Sequence, residues 1–201
     1  MIGIIDYGMG NLRSVEKALE ALGYKAFISN RAEELSRAKA LILPGVGAFP
    51  DAMKNLKEEA LDLLIKDFAK DNKPILGICL GMQLLFDVSY EVEKCEGLGI
   101  IKGEIQELPN YVKIPHMGWN NLYFDNPCKL LEGINNESFV YFVHSYYAIV
   151  KNPEDLKACT LYGVRVPAVV SRGNVFGTQF HPEKSGDTGM KILKNFGELV
   201  K

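Results

Sequence analysis

Three uninterrupted apolar runs recur in the first half of the chain: Ile2-Gly3-Ile4-Ile5, Ala40-Leu41-Ile42-Leu43, and Ile75-Leu76 continuing into Gly77-Ile78. A strand wetted on one face alternates apolar and polar residues. These runs do not alternate, so they read as short strands buried on both faces, which is the habit of parallel sheets. The stretches between them have helical texture. From Asn11 to Leu22, the residues Leu12, Val15, Leu19 and Leu22 fall on one stripe, and a second amphipathic stretch starts at Asp51 or a neighbour and runs to Lys70. Lys25 to Ile28 supplies a further strand. Strand and helix in alternation imply right-handed crossovers and a largely parallel sheet with helices on its faces.

From Gly97 onward the texture changes to short β-rich runs: Ile100 to Glu107, Trp119 to Phe124, Phe139 to Phe142, Tyr146 to Val150, Ala168 to Val170 and Val175 to Phe180. Turn-forming clusters such as Pro109-Asn110, Asp125-Asn126-Pro127 and Asn135-Asn136 separate them. Thr188 to Val200 closes the chain as a helix with Met190, Leu193, Phe196 and Leu199 or Val200 on one stripe. The expected fold is therefore α/β: an open, mostly parallel central sheet flanked by helices, with additional antiparallel strands in the C-terminal half. At 201 residues the chain suits a single domain over 1–201, burying roughly 70% of its unfolded surface.

Three short segments carry chemistry. Gly77-Ile78-Cys79-Leu80-Gly81 joins a strand to Met82-Gln83-Leu84-Leu85-Phe86, a helix-forming run. Such a turn crowds the backbone around its central residue, which explains glycine two positions before and after Cys79, as in a nucleophile elbow. The thiol then projects at the start of a helix, where unpaired N–H groups favour an anion. The competing reading is a buried cysteine beside packing glycines. His181-Pro182-Glu183 follows an alternating strand; residues two apart on extended backbone share a side, so His181 and Glu183 can face one pocket with the carboxylate holding one imidazole nitrogen. By itself this is also the pattern of a surface turn. Pro44-Gly45-Val46-Gly47 follows the second buried run. Its peptide N–H groups can supply one donor to an oxyanion, with the N–H of Leu80 as the other, or the segment can be a plain strand-to-helix turn.

The chain is similar to the class I (triad) glutamine amidotransferases, whose fold is flavodoxin-like, and within them to the glutaminase subunits of imidazole glycerol phosphate synthase. The resemblance rests on six segments in register: Asp6-Tyr7-Gly8-Met9-Gly10-Asn11, Pro44-Gly45-Val46-Gly47-Ala48-Phe49, Cys79 to Phe86, Pro115-His116-Met117-Gly118-Trp119-Asn120, Tyr141-Phe142-Val143-His144-Ser145-Tyr146, and His181-Pro182-Glu183-Lys184-Ser185. It implies Cys79 as nucleophile with His181 and Glu183, Gly45, Val46 and Leu80 at the oxyanion, and L-glutamine held by Gln83, Glu91 and the backbone of His144, Ser145 and Tyr146. Glu91, in Ser89-Tyr90-Glu91, is equally an ordinary solvated glutamate. The implied partner is a (β/α)8-barrel cyclase subunit that receives ammonia, docking at Asn11, Trp119, Asn120 and Lys184. Residue chemistry alone would put Trp119 in the core at a strand start, and Tyr141-Phe142 as core packing with a polar handle. Another amidotransferase of the same fold, or a non-enzymatic regulatory relative, remains the alternative.

The net charge is −2 with signs interspersed, which offers no footprint for nucleic acid. The apolar runs are too short to span a bilayer, and Met1 to Asp6 lacks a basic leader, so a cytoplasmic protein is expected. Cys79, Cys95, Cys128 and Cys159 show no C-x-x-C spacing and are joined by three histidines, so neither metal, cofactor nor disulfide framework is expected.

Overall fold

The computed structural model describes residues 1–200. The first half alternates as β1 (Ile2–Ile5), α1 (Leu12–Ala21), β2 (Ala26–Ser29), α2 (Ala32–Leu35), β3 (Ala40–Gly45), α3 (Phe49–Glu58), α4 (Leu61–Lys70), β4 (Ile75–Cys79) and α5 (Leu80–Leu84). The second half comprises β5 (Val88–Ser89), β6 (Cys95–Glu96), β7 (Gly103–Glu107), β8 (His116–Asn121), β9 (Tyr123–Phe124), β10 (Phe139–His144), β11 (Tyr146–Val150), β12 (Leu156–Tyr162), β13 (Val164–Arg172), β14 (Val175–Thr178) and α6 (Gly186–Glu198).

The main sheet has the order β2-β1-β3-β4-β14-β13-β12-β9. Its first five strands are mutually parallel, and the remaining three continue it antiparallel. Strand alternation divides the core in two. Ile2, Ile4, Ala40, Ile42, Leu76 and Ile78 face the side covered by α1 and α6, where Val15, Leu19, Ile192, Leu193 and Phe196 meet them. Ile5, Leu41, Leu43 and Ile75 face the other side, against Leu35, Phe49, Leu56, Ile65 and Phe68. A sheet buried on both faces is what the continuous apolar runs require, since each wholly buried Leu or Ile contributes about 1.5–3 kcal/mol.

Several elements differ from expectation. The helical stretch to Lys70 is two helices, because Ala60 takes a left-handed conformation (φ 54°) between α3 and α4 and turns the second against the sheet. The run expected from Ile100 becomes a strand only at Gly103. Trp119 to Phe124 is split between β8 and β9, which belong to different sheets. The strand β12 is new, and β13 extends well beyond Ala168 to Val170. The two form a hairpin whose turn residue Gly163 has φ 70°, a conformation glycine takes without steric cost.

Two smaller sheets stand beside the main one: the antiparallel ribbon β8–β10, and the four strands β11-β7-β5-β6. Both supply walls of the site described next.

Candidate active site

Cys79 ends β4 with φ 55° and ψ −110°, a backbone conformation that a side-chain-bearing residue rarely adopts and that costs on the order of 1–3 kcal/mol. The glycines around it are steric necessities. A Cβ on Gly81 would lie 1.7 Å from the Leu43 carbonyl oxygen, and one on Gly77 would lie 2.6 Å from the Gly81 oxygen. The elbow can therefore fold back against β3 and over its own strand only without side chains at these two positions. Gly45, paired with Cys79 across β3 and β4, is equally tight: a Cβ there would meet the Tyr7 hydroxyl at 2.2 Å and Leu80 Cβ at 3.0 Å.

His181 and Glu183 arrive from the end of β14, the parallel neighbour of β4. The Nδ1 of His181 lies 2.9 Å from Glu183 Oε1, and both side chains are almost wholly buried. Their turn is clamped to β10. The His181 N–H donates to the Tyr141 carbonyl (3.1 Å), while Ser185 Oγ donates to the His181 carbonyl (2.7 Å) and accepts the Tyr141 N–H (2.9 Å). The other ring nitrogen, Nε2, is buried and without a protein hydrogen bond. Burial pushes the imidazolium down, but the neighbouring Cys79 sulfur and the Glu183 carboxylate outweigh it and raise the group to about 9. The two neighbours thus favour the protonated ring, which leaves His181 suited to proton transfer beside the sulfur.

In front of the sulfur lies a cavity of about 350 Å³. Val46 and Gly47 form its β3 rim, Cys79, Leu80 and Gln83 its floor, and Pro115 and Glu91 its sides. Val143, His144, Ser145 and Tyr146 complete the wall. All five residues expected to hold a substrate line this one cavity. Glu91 is no free surface carboxylate: Oε2 accepts the Phe49 N–H at 2.8 Å, and burial, with a smaller push from Asp51, holds its carboxyl above the usual range despite that bond.

The expected docking residues differ in exposure. Asn11 and Lys184 are exposed, and Trp119 is 56% exposed. Trp119 is thus a surface residue, not the core residue its chemistry alone suggests. Tyr141 departs from expectation too: it is half-buried on the outer face of β10, edge-on to Trp119 at 6.1 Å, whereas Phe142 is in the core. Strand alternation is the reason, since the β8–β10 ribbon turns Met117, Trp119 and Tyr141 outward and His116, Val140, Phe142 and His144 inward. Asn120 is only partly exposed; its amide donates to the Leu161 carbonyl at 3.1 Å.

Two neighbours of the sulfur escape sequence reasoning. Gln179 is wholly buried with Nε2 3.8 Å from Cys79 Sγ. Tyr7 packs its unpartnered hydroxyl against Gly45, and burial, then the nearness of Cys79, raises its pKa. The sequence signals for them are the place of Tyr7 in the Asp6 to Asn11 segment and, for Gln179, a polar residue in a strand run two positions before His181.

The class-I glutamine amidotransferase family model matches residues 3–199, and the chain belongs to that family. More narrowly, it is 57% identical over 202 residues to the protein named imidazole glycerol phosphate synthase subunit HisH of Caldanaerobacter subterraneus subsp. tengcongensis, covering 100% of this chain and 99% of the relative. The protein of the same name from Geobacillus sp. is 53% identical, with 100% and 97% covered. Among solved structures, PurLQS from Thermotoga maritima superposes with a TM-score of 0.80 at 21% identity, covering 100% of this chain and 98% of that one. A crystal structure of a glutamine amidotransferase gives 0.77 at 22%, covering 99% and 98%. At such identities the two structures speak for the fold alone.

Proposed function

We propose that the protein, read as one amidotransferase domain over 1–201, is the glutaminase subunit of an imidazole glycerol phosphate synthase in histidine biosynthesis. The observation that carries this is the strained Cys79 elbow, opening onto a cavity walled by Gln83, Glu91 and the 143–146 segment, with the buried His181–Glu183 pair beside it.

In this reading L-glutamine enters with its side-chain amide at Cys79. The thiolate attacks the amide carbon, and the N–H groups of Leu80 and of the Gly45-Val46 segment stabilise the oxyanion. The His181 imidazolium passes its proton to the departing nitrogen while Glu183 keeps the ring oriented, and ammonia leaves a glutamyl thioester on Cys79. Neutral His181 then takes a proton from water, the hydroxide adds to the thioester, and glutamate is released with the thiol restored. Gln83, Glu91, His144, Ser145 and Tyr146 bind the amino-acid end.

The ammonia is passed to a separate (β/α)8-barrel cyclase subunit, which uses it to form imidazole glycerol phosphate and an aminoimidazole carboxamide ribotide. Trp119, together with Asn11, Asn120 and Lys184, is the proposed docking surface; an exposed aromatic flanked by polar groups suits an interface anchor. No helix among the described residues is long and apolar enough to cross a membrane, and a cytoplasmic location fits this role.

The test is glutamine hydrolysis by the chain alone, with the barrel subunit, and with that subunit plus its nucleotide. Turnover is expected to be strongest in the last case and to vanish in Cys79→Ala without loss of fold. Hydrolysis that survives in Cys79→Ala would remove the nucleophile assignment.

A further inference from the structure

The two histidines outside the catalytic pair are both buried and both hydrogen-bonded within the fold. Asn120 Nδ2 lies 3.3 Å from His116 Nε2, His116 Nδ1 lies 3.0 Å from His144 Nε2, and His144 Nδ1 lies 2.9 Å from the Tyr146 carbonyl oxygen. An amide nitrogen only donates and a carbonyl oxygen only accepts, so the ends of the run fix its direction. His144 carries its hydrogen on Nδ1 and accepts at Nε2 from His116, which in turn accepts from Asn120. Each ring is used once as donor and once as acceptor, which is possible only for neutral imidazole. Burial agrees, holding His116 at about 4 and His144 at about 3.

The run continues beyond Tyr146. Its carbonyl also accepts from Gln83 Nε2 at 2.9 Å, and the second hydrogen of that nitrogen goes to Gln179 Oε1 at 3.0 Å. Gln179 then has its own Nε2 left, and this is the group set 3.8 Å from the Cys79 sulfur. Both donors of Gln83 are thus spent inward, so its oxygen is the group left to meet a ligand in the cavity.

We infer that His116, His144 and Gln179 are positioning residues of the glutamine site: their hydrogen bonds lock the Gln83 amide with its oxygen toward the substrate and hold an N–H donor against the Cys79 sulfur. A ligand meeting Gln83 must bring a donor, as the ammonium or the amide of glutamine does, and a carboxylate placed there meets only a lone pair. The inference rests on glutamine being bound and cleaved at Cys79.

The experiment compares His116→Phe, His116→Asn and Gln179→Met in the complex with the barrel subunit, reading kcat and KM for glutamine. The rate of Cys79 alkylation by iodoacetamide is read as well. Phenylalanine keeps the ring that stacks between Phe142 and Tyr162 but donates nothing to His144. Asparagine loses the stack and keeps a donor near the place of Nδ1. His116→Phe should raise KM about tenfold with alkylation unchanged, and His116→Asn should hold KM within about threefold of the parent. Gln179→Met should raise KM and slow alkylation together. A packing role gives the reverse order, with Phe tolerated and Asn not, and that result overturns the inference, as does a folded Gln179→Met with unaltered KM and alkylation. A parent complex that hydrolyses no glutamine removes the functional reading and the Gln83 half with it, while the alkylation rate of Gln179→Met still decides the sulfur half.

Discussion

The chain has three histidines, and the fold pulls them in opposite directions, which sets the shape of its stability against pH. His116 and His144 are lowered to about 4 and about 3, chiefly by burial, with the facing His116 and His181 adding to the fall at His144. For such groups the unfolded chain binds protons below its ordinary pKa and the folded chain does not, so stability present above about 6.5 is lost as pH falls. At pH 5 each costs about 2 kcal/mol relative to pH 8, or about 4 kcal/mol together. His181 has the opposite sign. Raised to about 9 by Cys79 and Glu183 against its burial, it contributes about 3 kcal/mol below pH 6.5, and this decays as pH rises through 9. Ordinary carboxylates titrate below this window, and all three rings are at most 6% exposed, so solvent screening takes little from these figures. The three rings together give a rise of about 3 kcal/mol from pH 5 to 7 and a fall of about 2 kcal/mol from pH 7 to 9, and the raised thiols of Cys95, Cys128 and Cys159 deepen the fall. Urea unfolding at half-unit steps of pH and constant ionic strength measures it. His181→Gln should shrink the alkaline fall to the part left by Cys95, Cys128 and Cys159, whose thiols burial raises, and keep the acidic rise. A monotonic curve from pH 5 to 9, or an alkaline fall as large in His181→Gln as in the parent, would refute the reasoning.

Two other substitutions probe the elbow and the proposed docking face. Gly81→Ala places a Cβ 1.7 Å from the Leu43 carbonyl oxygen, backbone against backbone with no flexible side chain to yield. It should cost about 3 kcal/mol or more and lower the melting temperature by several degrees; a melt within about 2 °C of the parent would show that β3 can withdraw from the elbow. Trp119→Ala, at a side chain 56% exposed, should change stability by no more than about 0.5 kcal/mol. The same change should weaken binding of the barrel subunit at least thirtyfold, about 2 kcal/mol, and calorimetry showing parental affinity would place the interface elsewhere.

What the sequence reveals follows from how local the physical cause is. β1, β3 and β4 are legible because burial on both faces leaves no polar residue in them, and the elbow is legible because Gly77 and Gly81 answer a clash within a few residues of Cys79. The left-handed Ala60 that divides α3 from α4 has no signature, since alanine is neither glycine nor asparagine, the residues that mark such a conformation. β12 was not legible because Lys157, Thr160 and Tyr162 interrupt its apolar character; it is held by pairing with β13 and β9, not by a pattern of its own. Trp119 and Gln179 show the same limit at the site. A tryptophan beside β-forming residues reads as core until the ribbon's partner strand fixes which face is covered. The value of Gln179 comes from Gln83 and Cys79, both about a hundred residues away in the chain.

The site lies where it does because β3, β4 and β14 are parallel neighbours, so their carboxyl ends bring Gly45-Val46, Cys79 and the approach to His181 to one edge of the sheet. The β8–β10 ribbon then closes that edge. Its inner face carries His116, Phe142 and His144, the last of them in the cavity wall, while its outer face carries Met117, Trp119 and Tyr141. The two roles are separated only by the pleat of a single strand pair. The Cys79 sulfur lies 3.7 Å from the carbonyl of Val143, a β10 residue paired with Met117 on the outer face. A partner seated on Trp119 would therefore bear on the ribbon whose other strand touches the Cys79 sulfur. On the proposed reading, ammonia released at Cys79 starts its path beside the very ribbon on which the acceptor subunit docks, and displacement of that ribbon would reach His144, Gln83 and the sulfur together.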